Sequence, residues 1–235
     1  MTTALITGGS AGLGLALIRS LVEEGWTVLT DGRDADRLAR ATDPLGDRVI
    51  AIPGDVADPG HRGDLVAEVG RLGRLDLLVH NASTLGPLPL RPLRDLELEQ
   101  LRSVWTVNVG APLELTRDLL PRLLADEGVL LSLSSDAAVG HYEGWGPYGA
   151  TKAALDHLVL TTGAETGVTA YAVDPGEMRT GMHQDAFPGE DISDRPLPET
   201  VVPHLLALLA TRPPSGRYRA ADVPLQRAPA ATIGA

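Results

Sequence analysis

Ala4-Leu5-Ile6-Thr7-Gly8-Gly9-Ser10-Ala11-Gly12-Leu13-Gly14-Leu15 runs from a short aliphatic segment through a glycine cluster into a stretch with helical apolar spacing. A strand feeding a helix through such a loop is the opening unit of a parallel α/β sheet, and the loop is where that architecture seats a dinucleotide pyrophosphate. Gly8, Gly12 and Gly14 would let the chain turn tightly, admit phosphate oxygens to backbone N–H groups near Ser10 and Leu13, and pack the helix against the strand. The spacing is Gly-x-x-x-Gly-x-Gly rather than Gly-x-Gly-x-x-Gly, so alone it also suits a plain strand-to-helix turn. The same residues contain Gly8-x-Ser10-x-Gly12, the form of a serine-hydrolase nucleophile elbow. That alternative is disfavoured because the elbow's oxyanion hole borrows an N–H from a loop after an earlier strand, and none is read before Ser10.

Outward from this unit, aliphatic or β-branched runs at 4–7, 27–31, 49–52, 75–80, 129–134, 168–173 and 217–220 alternate with amphipathic segments at 13–24, 35–41, 59–72, 95–107, 112–125, 148–162 and 198–210. Such alternation predicts βαβ units, and Leu77-Leu78-Val79 and Val129-Leu130-Leu131 are apolar on both faces, as central parallel strands must be. The expected fold class is α/β: a doubly wound, parallel, seven-stranded sheet in a single domain over 1–223, with the Ala- and Pro-rich 224–235 as a loosely held tail. Two segments interrupt the alternation. Residues 85–94 carry Pro87, Pro89 and Pro92, and residues 176–196 are rich in Gly, Asp and Pro. Irregular stretches of that length suggest functional loops, the second placed to act as a lid.

At 235 residues, 43% hydrophobic and 22% charged, the chain is too apolar for disorder and long enough for one such domain. A formal charge of -11 leaves too few clustered cations for a nucleic-acid partner. No apolar run approaches the roughly 20 residues of a membrane span, and the first residues lead straight into a strand rather than a basic signal region. A cytoplasmic protein is expected. With no cysteine there is no thiol nucleophile, disulfide or thiolate metal site, and the 6 histidines form no His-Glu-x-x-His pair, so no metal is expected. Of 20 basic residues only Lys152 is a lysine, and it follows Thr151 rather than a glycine, which excludes a P-loop.

The second strand closes on Thr30-Asp31-Gly32-Arg33. A carboxylate there would bind the ribose diol of NAD, and an arginine the 2′-phosphate of NADP. Arg33 favours NADP(H), while Asp31 leaves NAD(H) open. Farther on, Pro147 precedes Tyr148-x-x-x-Lys152, which a helix places on one face. An ammonium beneath a tyrosine hydroxyl lowers the cost of the phenolate and is expected to draw a pKa of about 10 toward neutrality, giving an acid–base group without histidine. Ser135, at the carboxyl edge of the fifth strand, can donate to a substrate oxygen, although a strand-end serine equally suits a turn. His141, Tyr142 and Trp145 lie between Ser135 and Tyr148 as candidate pocket residues.

In order, Thr7-Gly8-x-x-x-Gly12-x-Gly14, Asp55-Val56, Asn81-Ala82, Asn108, Ser135, Tyr148-x-x-x-Lys152 and Pro175-Gly176 resemble the motifs of the classical short-chain dehydrogenases/reductases, from about residue 4 to 180. The resemblance implies a Rossmann-type domain in which Asp55 and Val56 contact adenine, Asn81 and Ala82 line the ribose side, and Pro175, Gly176, Met178 and Thr180 hold the nicotinamide end. It implies Tyr148 as general acid/base, Lys152 as both its electrostatic partner and a nicotinamide-ribose ligand, Ser135 as the carbonyl-polarising donor, and Asn108 as anchor of a water relaying protons to Lys152. Three departures stand out. The family's Asn-Asn-Ala-Gly is His80-Asn81-Ala82-Ser83, so Ser83 puts a side chain at the substrate pocket. Ala11 stands where many NADP-preferring members carry a basic residue, and no clear Asp-Gly-Gly ending is present.

With this resemblance, the expected function is that of an NADP(H)-dependent oxidoreductase, of ketoreductase type, interconverting a small-molecule carbonyl and a secondary alcohol. A catalytically idle NADP-binding sensor on the same scaffold is the alternative, and Tyr148 with Lys152 speaks against it. The helices expected at 112–125 and 148–162 are apolar on more faces than a sheet can use. By resemblance they would form the interface of a homodimer or homotetramer. The lid's Glu177, Asp185, Glu190, Asp191 and Asp194 against Arg179 and Arg195 suggest a neutral or cationic substrate.

Overall fold

The computed structural model describes residues 2–225. Strands β1 (Thr3–Ile6), β2 (Thr27–Gly32), β3 (Val49–Pro53), β4 (Leu77–His80), β5 (Val129–Leu133), β6 (Thr169–Asp174) and β7 (Gly216–Arg219) form one 7-stranded sheet in the order β3-β2-β1-β4-β5-β6-β7. Every pairing is parallel. The helices are α1 (Gly12–Glu23), α2 (Ala35–Thr42), α3 (Pro59–Leu72), α4 (Leu98–Trp105), α5 (Ala111–Ala125), α6 (Gly146–Thr166), α7 (Gly181–Ala186) and α8 (Val202–Thr211). Local chemistry starts several of them. Asp34 caps α2 by accepting from the Arg37 N–H at 2.9 Å, and Asp58 caps α3, whose first residue is Pro59.

Register follows from burial on both faces. Pairing Ala4 with Val28 and Leu77, and Leu77 with Val129, puts those four on one side of the sheet and Leu5, Leu29, Leu78 and Leu130 on the other. All eight are buried. The first side packs against α1 and α8 through Leu17, Leu21, Leu205 and Leu208. The second packs against α3, α5 and α6 through Leu65, Leu119, Leu123 and Leu155. Truncating one such leucine to alanine costs about 2–5 kcal/mol, and a one-residue slip of any strand would exchange the two cores.

The chain begins at β1 in mid-sheet, builds outward to β3, and returns to β4 on the other side of β1. The loops leaving β1 and β4 therefore run apart at the carboxyl edge, which opens a crevice between them. Two elements differ from the sequence expectation. The helix expected over 95–107 is α4 followed by a π-helical turn, Thr106–Gly110, that runs into α5. The lid region is not wholly irregular: it contains α7, capped by Thr180, whose hydroxyl accepts from the His183 N–H at 3.2 Å. Its base is closed by Arg179, whose N–H donates to the Pro196 carbonyl at 2.8 Å and whose guanidinium reaches the Ser193 carbonyl. In the single chain, Ala150, Ala153 and His157 of α6 are exposed. Most of the expected tail lies outside the described residues. Among those described, no helix is long and apolar enough to cross a membrane, and no group of His, Asp and Glu is placed to hold a metal.

Candidate active site

The glycine loop after β1 is pinned from two sides. Gly9 N–H donates to the Asp31 carbonyl at 2.9 Å and Gly8 N–H to the Asp31 carboxylate at 2.6 Å. From the loop after β4, Asn81 Nδ2 donates to the carbonyls of Thr7 at 2.7 Å and Gly8 at 3.0 Å, and the Ala82 N–H donates to Thr7 Oγ1 at 3.1 Å. Asn81, expected on the ribose side, thus clamps the two crevice loops together. Gly8, at φ +73°, and Gly12, at φ +59°, hold the left-handed conformation that side chains avoid. The other glycines are required by contact. A Cβ on Gly14 would stand 2.4 Å from Asn81 Nδ2, and one on Gly9 2.1 Å from Thr30 Oγ1. Sequence spacing did not single out Gly9, because its constraint comes from β2.

Helix α1 begins at Gly12 with Ala11 at its N-cap and no side-chain cap, so its first N–H groups lack intrahelical acceptors. They open on a cleft of about 410 Å³. Gly8, Ser10, Gly12, Leu13, Arg33, Asp55, Val56, Asn81, Ala82, Ser83, Tyr148, Lys152, Pro175, Met178 and Thr180 all line it, whereas Gly14, Gly176, Asn108 and Ser135 stand back from it. Gly176 instead donates its N–H to Asp174 Oδ1 at 3.0 Å. An uncapped 12-residue helix facing a glycine-lined cleft fits a dinucleotide pyrophosphate. No histidine lines the cleft among the described residues, so Ser10 lacks the base that an elbow hydrolase needs.

At the end of β2, Asp31 and Arg33 face different surroundings. The Asp31 carboxylate is 1% exposed and turned inward: one oxygen accepts from Gly8, and the other meets His61 Nε2 at 3.0 Å. This hydrogen bond holds the His61 pKa above its ordinary value. Asp31 therefore ties the glycine loop to β2 and α3. The rim is left to Gly32, which has no side chain, and to the exposed Arg33 and Arg37; sequence reasoning had not picked out Arg37.

Helix α6 carries Tyr148 and Lys152 into the cleft one turn apart. Gly149 lets the helix lie on the turn after Ser135, since a Cβ there would be 2.6 Å from the Ala137 carbonyl oxygen. Both side chains are buried, Tyr148 at 8% and Lys152 at 3% exposed. Lys152 Nζ donates to the Leu133 carbonyl at 2.7 Å and lies 5.5 Å from the Tyr148 ring centroid. Burial pushes the lysine down to about 8, with the Asp156 carboxylate opposing. Burial likewise pushes the Tyr148 hydroxyl up to about 12, and the Ser135 and Ser83 hydroxyls counter this only in part. The expected drop toward neutrality is not found: desolvation of the phenolate dominates, and the Asp136 and Asp174 carboxylates add to it.

Ser135 serves both roles its sequence allowed. Its hydroxyl donates to Asp136 Oδ1 at 3.0 Å and accepts from the Ala137 N–H at 3.1 Å, capping a short turn, yet it remains beside Tyr148. Asn108 sits in the π-helical turn, a common placement for functional residues. Its Oδ1 accepts from the Thr84 N–H at 2.8 Å and from Ser83 Oγ at 3.2 Å, and its Nδ2 donates to Thr151 Oγ1 at 3.0 Å. The extra hydroxyl of Ser83 is thereby absorbed. Trp145 packs edge-on against Tyr148, with centroids 5.6 Å apart, and leans on Phe187 of the lid. His141 and Tyr142 are not pocket residues: both are exposed, and the Tyr142 hydroxyl donates to Asp136 at 2.9 Å. Leu85, Val107 and Met182 line the cleft without having been singled out in the sequence, since they come from loops and helix ends with no diagnostic spacing, and the lid residue Asp185 lines it with them.

The short chain dehydrogenase family model matches residues 2–191. The chain is 33% identical over 195 residues to serine 3-dehydrogenase of Agrobacterium fabrum, spanning 78% of each chain. It is 34% identical over 186 residues to a Haemophilus influenzae protein named "Probable NADP-dependent dehydrogenase", spanning 74% of this chain and 71% of that one. Its structure matches that of a short chain dehydrogenase from Shigella flexneri complexed with NADP, with a TM-score of 0.86 and 26% identity over 94% of this chain and 97% of the other. The chain belongs to the short-chain dehydrogenase family and is an oxidoreductase.

Proposed function

We propose that this oxidoreductase interconverts a carbonyl and a secondary alcohol using NADP(H), with Tyr148 as general acid/base. The observation that carries the proposal is the convergence of a buried Tyr148–Lys152 pair and the uncapped N-terminus of α1 on one cleft. NADP(H), when bound, supplies or accepts the hydride. Tyr148, held protonated at neutral pH by burial, has a proton to give to a carbonyl oxygen. Ser135 would hold that oxygen by turning its O–H from Asp136, and the Lys152 charge would stabilise the phenolate left behind. Arg33 and Arg37 offer two cations to a 2′-phosphate, and relatives named or solved with NADP support that choice.

The charges around the lid support a neutral or cationic substrate. Arg195 is engaged by Glu177 at 2.8 Å and Asp194 at 2.7 Å. Asp185, Glu190 and Asp191 remain around an adjoining recess of about 870 Å³, where Leu88 and Pro89 are its apolar wall. We further propose a cytoplasmic homodimer or homotetramer that buries the outer faces of α5 and α6, where Leu113 and Leu124 of α5 stand 45% and 43% exposed. The reaction is tested by NADPH oxidation over a panel of aldehydes and ketones, with Tyr148→Phe alongside. Turnover should fall by orders of magnitude while NADPH binding survives. Retained turnover in Tyr148→Phe refutes the acid–base assignment.

A further inference from the structure

Arg217 lies on β7, outside the glycine loop and the Tyr148 helix, yet its one guanidinium reaches three elements of the site. Nε donates to Asp156 Oδ2 at 3.1 Å, and Nη2 donates to the Ser135 carbonyl at 2.8 Å. Nη2 also stands 3.6 Å from Asp174 Oδ2. Each partner belongs to a different part of the machinery. Asp156 follows Lys152 by four residues and Tyr148 by eight, so it occupies the same face of α6. Ser135 is the candidate carbonyl donor. Asp174 ends β6, and its other oxygen accepts from Gly176 N–H at 3.0 Å, which fixes the loop carrying Pro175 and Met178 into the cleft.

We propose that Arg217 is a positioning residue for hydride and proton transfer, locking the Ser135 turn, the Tyr148–Lys152 helix and the loop after β6 into one register. This rests on the oxidoreductase reading above. The two carboxylate acceptors are buried, although the Arg217 side chain itself is 25% exposed. The Asp156 side chain is 9% exposed, its Oδ2 otherwise accepts only from Ser134 Oγ at 2.6 Å, and its Oδ1 is buried without a partner among the described residues. Register pairing of Ala172 with Arg217, and of Ser132 with Ala172, sets the guanidinium on the α6 side of the sheet rather than the α8 side. The guanidinium reaches its partners from two separate atoms, Nε and Nη2, held in one rigid plane; a lysine ammonium keeps the charge and three donors but gathers them at a single point on a flexible stem. Hydride transfer is sensitive to misplacement on the order of 1 Å, which costs about 100-fold in rate.

The test compares wild type, Arg217→Lys, Arg217→Ala and Tyr148→Phe, using the carbonyl that wild type reduces best and NADPH fluorescence to measure cofactor affinity. Arg217→Lys should keep its melting temperature, its NADPH dissociation constant within about twofold and its KM, while kcat falls about tenfold or more. Arg217→Ala should lose more, and millimolar guanidinium should restore part of its kcat where sodium chloride of equal ionic strength does not. If Arg217→Ala does not fold, Arg217→Lys decides the matter alone. A kcat within twofold of wild type in Arg217→Lys overturns the proposal. So does a parallel fall of kcat, NADPH affinity and melting temperature with no guanidinium rescue, which marks a merely structural residue. The two possible failures separate: turnover retained in Tyr148→Phe sinks the acid–base reading, whereas an inactive Tyr148→Phe beside an unimpaired Arg217→Lys sinks only the positioning role.

Discussion

Replacing Arg33 by Asp should move cofactor preference from NADPH toward NADH. Asp31 is 1% exposed and both its oxygens are engaged, one by the Gly8 N–H at 2.6 Å and one by His61 at 3.0 Å, which disfavours it as the ribose reader. Gly32 presents no side chain, and a Cβ there would already stand 3.3 Å from Ser10 Cβ. Selection against or for a 2′-phosphate thus falls on Arg33, with Arg37 as a weaker neighbour. A charge pair about 4 Å apart is worth roughly 1–4 kcal/mol between bulk water and a protein surface, and Arg33 is exposed, so about 1 kcal/mol is the reasonable share. Removing it in Arg33→Ala should weaken NADPH about fivefold relative to NADH; reversing the charge in Arg33→Asp adds about as much again, for about 30-fold. Dissociation constants of both dinucleotides, measured by nicotinamide fluorescence, give the ratio directly. The contrast should shrink as salt rises, since exposed charges are screened. A ratio within twofold of wild type at low salt in Arg33→Asp would refute the assignment of the rim.

Lys152, at about 8, carries its charge below that pH and loses it above, so kcat/KM for carbonyl reduction should decline through about pH 8. Lys152→Arg stays charged and should lose that limb while turning over at least about tenfold slower, because a guanidinium cannot occupy the site where Nζ meets the Leu133 carbonyl; an unchanged limb assigns it to another group. His80 is fully buried, its Nε2 2.7 Å from Thr116 Oγ1, and burial with the nearby Lys152 charge pushes it down to about 3. The unfolded chain takes up that proton first, so stability is lost as pH falls from about 6.5 toward 3, at most about 1.4 kcal/mol per pH unit. Urea unfolding of His80→Asn between pH 7 and 4.5 should show a shallower loss, and an equal slope contradicts the assignment. For the lid, a ketone should outpace its matched keto acid at low salt, with the gap closing at high salt; preference for the keto acid at low salt excludes an anion-repelling cover.

Alternating periodicity and the glycine loop were enough to read the parallel α/β sheet, because each strand that is apolar on both faces declares its burial without reference to its neighbours. The Tyr148–Lys152 pair was legible for a similar reason: four residues on a helix share a face whatever surrounds them. Contacts between residues distant in sequence were not legible. Whether Asp31 faced the ribose or the interior depended on His61, thirty residues on, and on the space that Gly54 leaves for its ring, where a Cβ would sit 2.1 Å from His61 Nδ1. The demand for Gly9 came from Thr30, and the pocket wall came from Leu85 on the loop after β4 and Met182 on α7. The protonation of Tyr148 was misjudged for the same cause. Spacing revealed the ammonium one turn away, but the solvent removed from the phenol, and the Leu133 carbonyl that engages that ammonium, exist only once β5 and α6 have packed together. Local pattern fixes which face a side chain occupies; its charge state and its partners are set by what the folded chain brings to that face.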